Sequence, residues 1–193
     1  MNTFFTADNH FNDKEIIGFC ERPFNSIIKM NKFLIKNINN RCKPEDRLIV
    51  VGDFLVNTKE KGFMSFEEIQ KAINCNISFI VGNHDKNNGV KSNIYSATVV
   101  IGKKNFLICH IPPLSFDNPA KQIYNFNYML PHVDAVICGH VHTAWKTLNI
   151  KEEKTNRIIP FINVGVDVSK FMPLKTSEIY NIYLKALKDD VKK

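Results

Sequence analysis

Short apolar runs that end directly on polar residues are the sequence feature that most constrains the fold of this chain. Residues 77–81 lead without a spacer into GNHD at 82–85, and residues 47–51 lead into GD at 52–53. Short apolar runs bounded by turn residues are typical of buried strands. A loop at the end of such a strand holds its side chains at a fixed point, where binding and catalytic residues are common. The GNHD loop alone is also compatible with an ordinary turn, so its interpretation depends on the rest of the chain.

The order of the predicted elements indicates an α/β fold. Strands are predicted in the first half over residues 3–7, 47–51 and 77–81. Between them, Ser26 begins a helix with apolar residues on one face, and Ser65 followed by Glu68 has the capping-box spacing that begins another helix. A short helix or loop is expected over residues 13–19. In α/β domains of this kind, ligands bind beyond the carboxyl ends of the strands.

The second half of the chain is richer in strands. They are predicted over residues 98–101, 106–109, 134–138 and 158–164. The first two form a β-hairpin that ends on His110, and the third is followed at once by His140 and His142. Ser177 begins a final helix with one apolar face. Polar residues therefore follow strands in both halves of the chain.

The length and composition indicate one globular domain over residues 1–193. Hydrophobic residues make up 44% and charged residues 23%, which is ordinary for a folded protein, and 193 residues fit a single domain better than two. No apolar run approaches the roughly 18 residues of a membrane helix, and the first residues lack the features of a signal peptide. A cytoplasmic protein with no membrane association is therefore expected.

The cysteines and the net charge argue against some classes of site. The five cysteines are scattered without C-x-x-C spacing, which argues against a disulfide framework or a zinc ribbon. The net charge of +7 comes chiefly from lysine and is compatible with phosphate-bearing substrates. Base-specific reading of DNA favours arginine, so sequence-specific DNA binding is not indicated. Most of this charge is expected to lie on a solvated surface.

The histidines follow the predicted strands. Five of the six stand just after apolar runs, a distribution that scattered core or surface histidines would not have. The polar residues at these strand ends are Asp8, His10, Asp53, Asn83, His84, His110, His140 and His142. Each has an ordinary structural explanation when taken singly, but together they predict a metal site.

The types of ligand in this set favour two divalent ions. Imidazole, carboxylate and amide groups suit Mn, Fe, Zn or Ni, and the lack of thiolates argues against a structural zinc site. The candidate ligands outnumber those that one ion with an open position requires. Two ions about 3.5–4 Å apart could share a water, lower its pKa and stabilise the attacking and leaving oxygens of a phosphoryl displacement. Phosphoryl transfer is therefore the expected reaction class.

Taken in order, the motifs resemble those of the calcineurin-like metallophosphoesterase family. They are D-x-H at 8–10, G-D at 52–53, G-N-H-D at 82–85, His110, and G-H-x-H at 139–142. The resemblance spans nearly the whole chain and is greatest to small bacterial or phage members with an Arg-Pro-Phe segment, which begins here at Arg22. Those members often have a second histidine shortly after D-x-H-F, where this chain has Asn12 and Asp13. No substrate role is therefore carried over to that position.

The resemblance implies a fold and a role for each ligand. The fold is a four-layer α-β-β-α sandwich of two mixed β-sheets flanked by helices, with the metals at the sheet edges. One metal would be held by Asp8, His10 and His142. The other would be held by Asn83, His110 and His140. Asp53 would bridge the two.

The resemblance also assigns two catalytic residues. His84 would not bind metal but would stabilise or protonate the leaving oxygen, with Asp85 orienting it. A histidine beside two cations is well placed to meet the negative charge that develops on a leaving group. Arg22 is a candidate phosphate contact because arginine is scarce in this chain, although a structural role fits its position equally well.

The sequence leaves several phosphate esters as candidate substrates. A phosphodiester is favoured over a monoester, and a nucleotide is one candidate. Aromatic residues in a proline-bounded segment could line a nucleobase pocket or simply pack on the domain; they are Phe116, Tyr124, Phe126 and Tyr128. The alternatives are a metal-dependent nuclease, which the basic charge permits without requiring nucleic acid, and a non-catalytic scaffold of the same fold. The sequence indicates no oligomeric state.

Overall fold

The computed structural model describes residues 1–58, 60–113, 127–152 and 155–190, in which α-helices separate the strands of the first half and strands predominate in the second half. The strands are β1 Thr3–Thr6, β2 Arg47–Val51, β3 Asn76–Ile80, β4 Ser96–Ile101, β5 Lys104–Cys109, β6 Ala135–Cys138, β7 Thr147–Lys151, β8 Ile158–Asn163 and β9 Leu174–Lys175. The α-helices are α1 Glu15–Phe19, α2 Ile27–Arg41, α3 Phe66–Ala72 and α4 Thr176–Asp190. Short 3-10 helices cover Asp85–Asn87 and Asn127–His132. Within these ranges, no helix has the length and apolar character that crossing a membrane would require.

The first sheet places three parallel strands side by side. Its order is β3-β2-β1-β9, with β1, β2 and β3 parallel and the short β9 antiparallel at the edge. Phe5 is opposite Ile49, which is opposite Ser78, so the parallel strands run in register. Because parallel strands end at the same edge of a sheet, the loops that carry Asp8, Asp53 and the GNHD sequence begin next to one another.

The second sheet has the order β4-β5-β6-β8-β7. Its central strands β5, β6 and β8 are parallel, and β4 and β7 are antiparallel at the two edges. His110 follows β5 directly, and His140 follows β6 after one glycine. Both sheets are therefore mixed, which confirms the fold that the resemblance implies.

Helices α2 and α3 cover the outer face of the first sheet. Met30 of α2 and Ile69 of α3 pack with Leu48 of β2 in one apolar core. The capping box of α3 is confirmed: Ser65 Oγ accepts from Glu68 N at 3.2 Å, and Glu68 Oε2 accepts from Ser65 N at 2.7 Å. These helices pack on the face of the sheet and so fix the parallel strands, whose carboxyl ends carry the polar loops.

A second apolar core lies between the sheets. Phe5 of β1 packs there with Ile137 of β6 and with α4, whose Tyr183 ring centroid lies 5.3 Å from that of Phe106. On the outer face of the second sheet, the described residues that pack include Leu130 of the second 3-10 helix. Two mixed sheets flanked by helices thus form the body of the fold.

The sequence patterns do not predict the edge strands β7 and β9. Strand β7 has the sequence TLNIK, and its side chains are half-buried or exposed, so it lacks the apolar run by which the other strands are recognised. Strand β9 has only two residues, which is too short for any periodic pattern. A strand without an apolar run, or one of only two residues, leaves a weak signal in the sequence.

Candidate metal centre

The predicted ligands converge from both sheets. Main-chain hydrogen bonds join the loops after β1 and β2, because Asp8 N donates to Gly52 O at 3.1 Å and His10 N donates to Asp53 O at 3.0 Å. Across the two sheets, His140 N donates to Asp8 Oδ1 at 2.9 Å. The backbone therefore fixes the relative positions of the ligand loops independently of any bound ion.

The first group of ligands consists of Asp8, His10 and His142. Their donor atoms all lie within 4.8 Å of one another, and the ring centroids of the two histidines are 5.3 Å apart. His10 is only 3% exposed, and its Nε2 atom has no hydrogen-bond partner among the described residues. A buried imidazole nitrogen without a partner is costly unless something else satisfies it. The three residues expected to share one metal are thus brought together.

The second group consists of Asp53, His110 and His140. Their donor atoms also lie within 4.8 Å of one another. Asn83 Oδ1 lies 3.1 Å from His110 Nε2, so the amide is next to this group. The four residues expected around the second metal are therefore neighbours.

Asp53 of the second group also lies close to the first group. Its Oδ2 atom is 3.0 Å from His110 Nε2 and 3.7 Å from His10 Nε2, so one oxygen is close to a histidine of each group. Its other oxygen accepts from the main-chain N–H of His84 at 3.0 Å. This position suits a carboxylate shared between two cations.

Many of the ligands have unusual backbone conformations. A positive φ is uncommon for residues other than glycine and costs free energy that the surrounding structure must supply. Five of the predicted ligands have one, namely Asp8 (53°), His10 (49°), Asp53 (51°), His140 (71°) and His142 (43°). These conformations turn the side chains towards one another after the strands end, which regular strand geometry would not allow.

Two glycines permit the close packing of these loops. A Cβ atom on Gly82 would lie 2.2 Å from Asp53 Oδ1, and one on Gly139 would lie 2.6 Å from Ala7 Cβ and 2.8 Å from Asp8 Oδ2. Carbon atoms cannot approach so closely, so any side chain at either position would displace a ligand. The glycines in G-N-H-D and G-H-x-H are therefore needed for steric reasons.

The Nδ1 atoms of three histidines are held by hydrogen bonds. His10 Nδ1 lies 2.9 Å from Asp13 Oδ2, and His142 Nδ1 lies 3.0 Å from Asp167 Oδ2. His110 Nδ1 lies 2.9 Å from a main-chain carbonyl oxygen, that of residue 51. Such partners fix the orientation of a ring and leave Nε2 for a metal. The sequence patterns assign no role to Asp13 or Asp167, although Asp167 also follows a strand, which is the signal that marks the predicted ligands.

Arg22 lies behind the first group of ligands. Its side chain is 0% exposed. It binds Asp167 through Nε and Nη2 at 2.7 and 3.0 Å, and it donates to the carbonyl oxygens of Asp8 and Asn9 at 2.8 and 2.9 Å. A guanidinium held in this way is not available to a phosphate group in solution. Its position favours the structural alternative over the substrate contact.

Asp85 stabilises the backbone of the ligand loops. Its carboxylate accepts from Asp53 N at 2.9 Å, from Phe54 N at 2.8 Å and from Gly82 N at 2.8 Å. The orienting role beside the His84 ring stays a prediction, and the bonds of its two oxygens to these loops point to an indirect role. The His84 side chain is exposed, with its ring centroid 5.3 Å from that of His10.

The buried charges of the centre shift one another's pKa values. Burial alone would raise the pKa of Asp53, but His110 and then His10 hold it well below its usual range. Burial alone would lower the pKa of His110, but Asp53 raises it to about 9. Burial alone would likewise lower the pKa of His142, but its hydrogen bond with Asp167 raises it. The carboxylates therefore favour positive charge in this centre.

Replacing Arg22 distinguishes its two candidate roles. We expect Arg22→Lys to weaken manganese binding about 10–100-fold, because a lysine ammonium cannot hold both Asp167 and the two carbonyl oxygens at once. Arg47→Lys, which changes an exposed arginine, is the matched control. Manganese affinity, kcat and KM are measured for both variants. A raised KM with unchanged manganese affinity would instead indicate a substrate contact.

Comparison with known proteins places the chain in a family. The model of the calcineurin-like phosphoesterase superfamily domain matches residues 1–173. The chain belongs to this superfamily. It is 31% identical over 183 residues to the uncharacterized protein MJ1445 of Methanocaldococcus jannaschii, covering 93% of this chain and 89% of that protein. The crystal structure of the protein of unknown function AQ665 from Aquifex aeolicus is similar, with a TM-score of 0.68, 25% identity, and coverage of 94% of this chain and 98% of that one.

The side chains of this calcineurin-like phosphoesterase fit divalent cations. The two groups supply imidazole, carboxylate and, from Asn83, amide donors, a set that suits borderline or hard divalent ions. The Nε2 atom of buried His10, which lacks a partner within the part of the chain that the structure describes, is an available ligand. Membership of the superfamily supports a metal-dependent hydrolase of phosphate esters. Of the aromatic residues suggested for a nucleobase pocket, Phe116, Tyr124 and Phe126 lie outside the described residues, as does the side chain of Tyr128.

Proposed function

We propose that this protein is a phosphoesterase that depends on two divalent ions and hydrolyses phosphodiesters in preference to monoesters, nucleotides being candidate substrates. The observation that carries the proposal is the position of Asp53 between two groups of ligands, with donor atoms of each group within 4.8 Å of one another. Asp8, His10 and His142 would hold one ion; Asn83, His110 and His140 would hold the other, and Asp53 would hold both. The ions would be drawn from Mn, Fe, Zn and Ni.

The chain's own residues have separate tasks in this proposal. When bound, divalent ions supply Lewis acidity that activates water and offsets the charge of the phosphate. Asp53, whose pKa is well below its usual range, stays ionised at neutral pH. Asp13 and Asp167 orient the rings of His10 and His142. None of these residues has to move a proton, so a different residue is needed to protonate the leaving group.

His84 is the residue that we assign to the leaving group. It lines a cleft together with His10, Asp53, Asn83, His140 and His142. Its side chain is exposed and belongs to neither ligand group, so its ring is accessible to a substrate. A histidine in this position can donate a proton to the leaving oxygen as the phosphorus–oxygen bond breaks. Asp85 contributes indirectly by holding the loop on which His84 stands.

A direct assay tests the proposed function. Protein stripped of metal with EDTA and reloaded with manganese is assayed on bis-p-nitrophenyl phosphate, p-nitrophenyl phosphate, cyclic nucleotides and short nucleic acids. We expect manganese-dependent turnover, with kcat/KM higher for the diester than for the monoester. Higher activity on nucleic acids than on small esters would identify the nuclease alternative. Manganese binding without turnover of any substrate would contradict the proposal and favour a scaffold.

A further inference from the structure

Phe19 is exposed at the edge of the metal centre. Its side chain is 77% exposed, and its ring centroid lies 5.9 Å from that of His142, with the two planes at 77°. A single exposed apolar residue on a protein surface needs no explanation. Phe19 is of interest because it lines the same cleft as the predicted ligands.

The described residues that line the cleft form two different walls. One consists of the ligands and His84, and the other of residues at and around helix α1, namely Asp13, Glu15, Ile16 and Phe19. Its volume is about 370 Å³, within the range of pockets that hold small molecules, roughly 300–1,000 Å³. A small phosphate ester therefore has room to place its phosphate at the ligands and its organic group against α1.

Helix α1 is held in place from both sides. Asp13 uses one carboxylate oxygen to accept from the N–H groups of the first turn at 2.9 and 3.2 Å, while the other bonds His10 at 2.9 Å. After the helix, Arg22 N donates to Ile17 O at 2.8 Å, and its side chain is fixed behind the centre. The same residues that support the ligands therefore set the position of Phe19.

We propose that Phe19 stacks against the nucleobase of a nucleoside phosphodiester whose phosphate lies at the metal centre. This assignment rests on the proposed function and names the substrate class. An aromatic side chain with a free face is the usual platform for a base. Glu15 is exposed beside it in the cleft, and its carboxylate can accept from the exocyclic amino group of a base such as adenine. The same carboxylate repels additional phosphate groups, which favours a nucleoside ester over a polyphosphate.

Two substrates with one leaving group test the role of Phe19. They are the p-nitrophenyl ester of adenosine 5′-monophosphate and methyl p-nitrophenyl phosphate, which differ in the base-bearing group. We expect Phe19→Ala to lower kcat/KM for the adenosine ester about tenfold, mainly through KM, and to leave the methyl ester unchanged. Phe19→Trp is expected to retain wild-type kinetics. Phe63→Ala is the control, because Phe63 is also exposed, at 38%, and does not line the cleft.

A binding measurement tests the same assignment without turnover. Calorimetry of adenosine 5′-monophosphate and inorganic phosphate with the manganese-loaded protein should give about tenfold weaker nucleotide binding in Phe19→Ala and unchanged phosphate binding. An equal effect of the substitution on both esters, or no effect on nucleotide affinity, would overturn the stacking role. Nucleotide binding no tighter than phosphate in the wild type would do so as well. If the protein bound the nucleotide as expected but turned over no substrate, the proposed hydrolysis would be contradicted and the stacking role would stand.

Discussion

Asp53→Asn is expected to remove nearly all turnover and to weaken metal binding at both groups of ligands. One oxygen of Asp53 lies 3.0 Å from His110 Nε2 and 3.7 Å from His10 Nε2, so a single negative charge is positioned for both groups. An amide has nearly the same volume but lacks that charge. Because removal of an outer partner of a ligand already costs about 10–100-fold in metal affinity, loss of the shared carboxylate should cost at least as much at each position.

The measurement compares Asp53→Asn with a matched substitution far from the centre. Asp46 is equally buried, at 2% exposure, and accepts from the main-chain N–H groups of Asn2 and Lys43. We expect Asp46→Asn to lower the free energy of unfolding and to keep wild-type manganese content. Manganese per chain and kcat on bis-p-nitrophenyl phosphate are measured for both variants. Normal manganese content in Asp53→Asn would contradict the shared position of this carboxylate.

The metal-free form of the same variant gives an independent signature. The pKa of His110 is raised from 6.5 to about 9, chiefly by Asp53 acting against the effect of burial. A raised pKa stabilises the fold below the unfolded value, and that contribution is lost as the pH rises through the folded value. In EDTA, the wild type should therefore lose stability between pH 6.5 and 9. Asp53→Asn should be less stable at the lower pH and should change less across this range.

Much of the fold was predictable because its strands are buried. Strand β6 is buried at all four positions and β8 at five of six, so their sequences are nearly uninterrupted apolar runs. The edge strands β7 and β9 are half-buried or short and give no such signal. Element type therefore follows from sequence where an apolar run is present, which includes the edge strands β3 and β4 but not β7 and β9.

The candidate site was predictable for a different reason. Parallel strands end together, so residues that follow them meet in space even when they are distant in sequence, as Asp8 and His140 do. The residues that support the ligands are harder to predict. Asp13 and Arg22 act through hydrogen bonds to the ligand residues, and these bonds depend on the path of one loop. For Asp85, the resemblance implied a role in orienting His84, and the loop path that lets its carboxylate accept from three main-chain N–H groups could not be read from the sequence.

Asn83→Ala and His84→Ala are expected to have different effects although the two residues are adjacent. Asn83 Oδ1 lies 3.1 Å from His110 Nε2, so its removal should lower manganese occupancy and, as a result, activity. The His84 side chain is exposed and lies outside both ligand groups, so His84→Ala should keep full manganese content and lose about 100-fold or more in kcat on a diester with an alkoxide leaving group. Manganese per chain is measured on both purified variants, and kcat is measured at saturating substrate. Equal loss of metal in both variants would contradict the division.

The leaving group determines how the loss in His84→Ala should vary. A p-nitrophenolate leaves without much help from an acid, whereas phenolate or alkoxide depends on a proton delivered as the bond breaks. If His84 supplies that proton, the loss in kcat should be smallest for bis-p-nitrophenyl phosphate and should grow as the pKa of the leaving alcohol rises. Stabilisation of charge on the non-bridging phosphate oxygens would lower all rates by one common factor. A series of diesters with one constant group therefore distinguishes proton donation from electrostatic stabilisation by the same side chain.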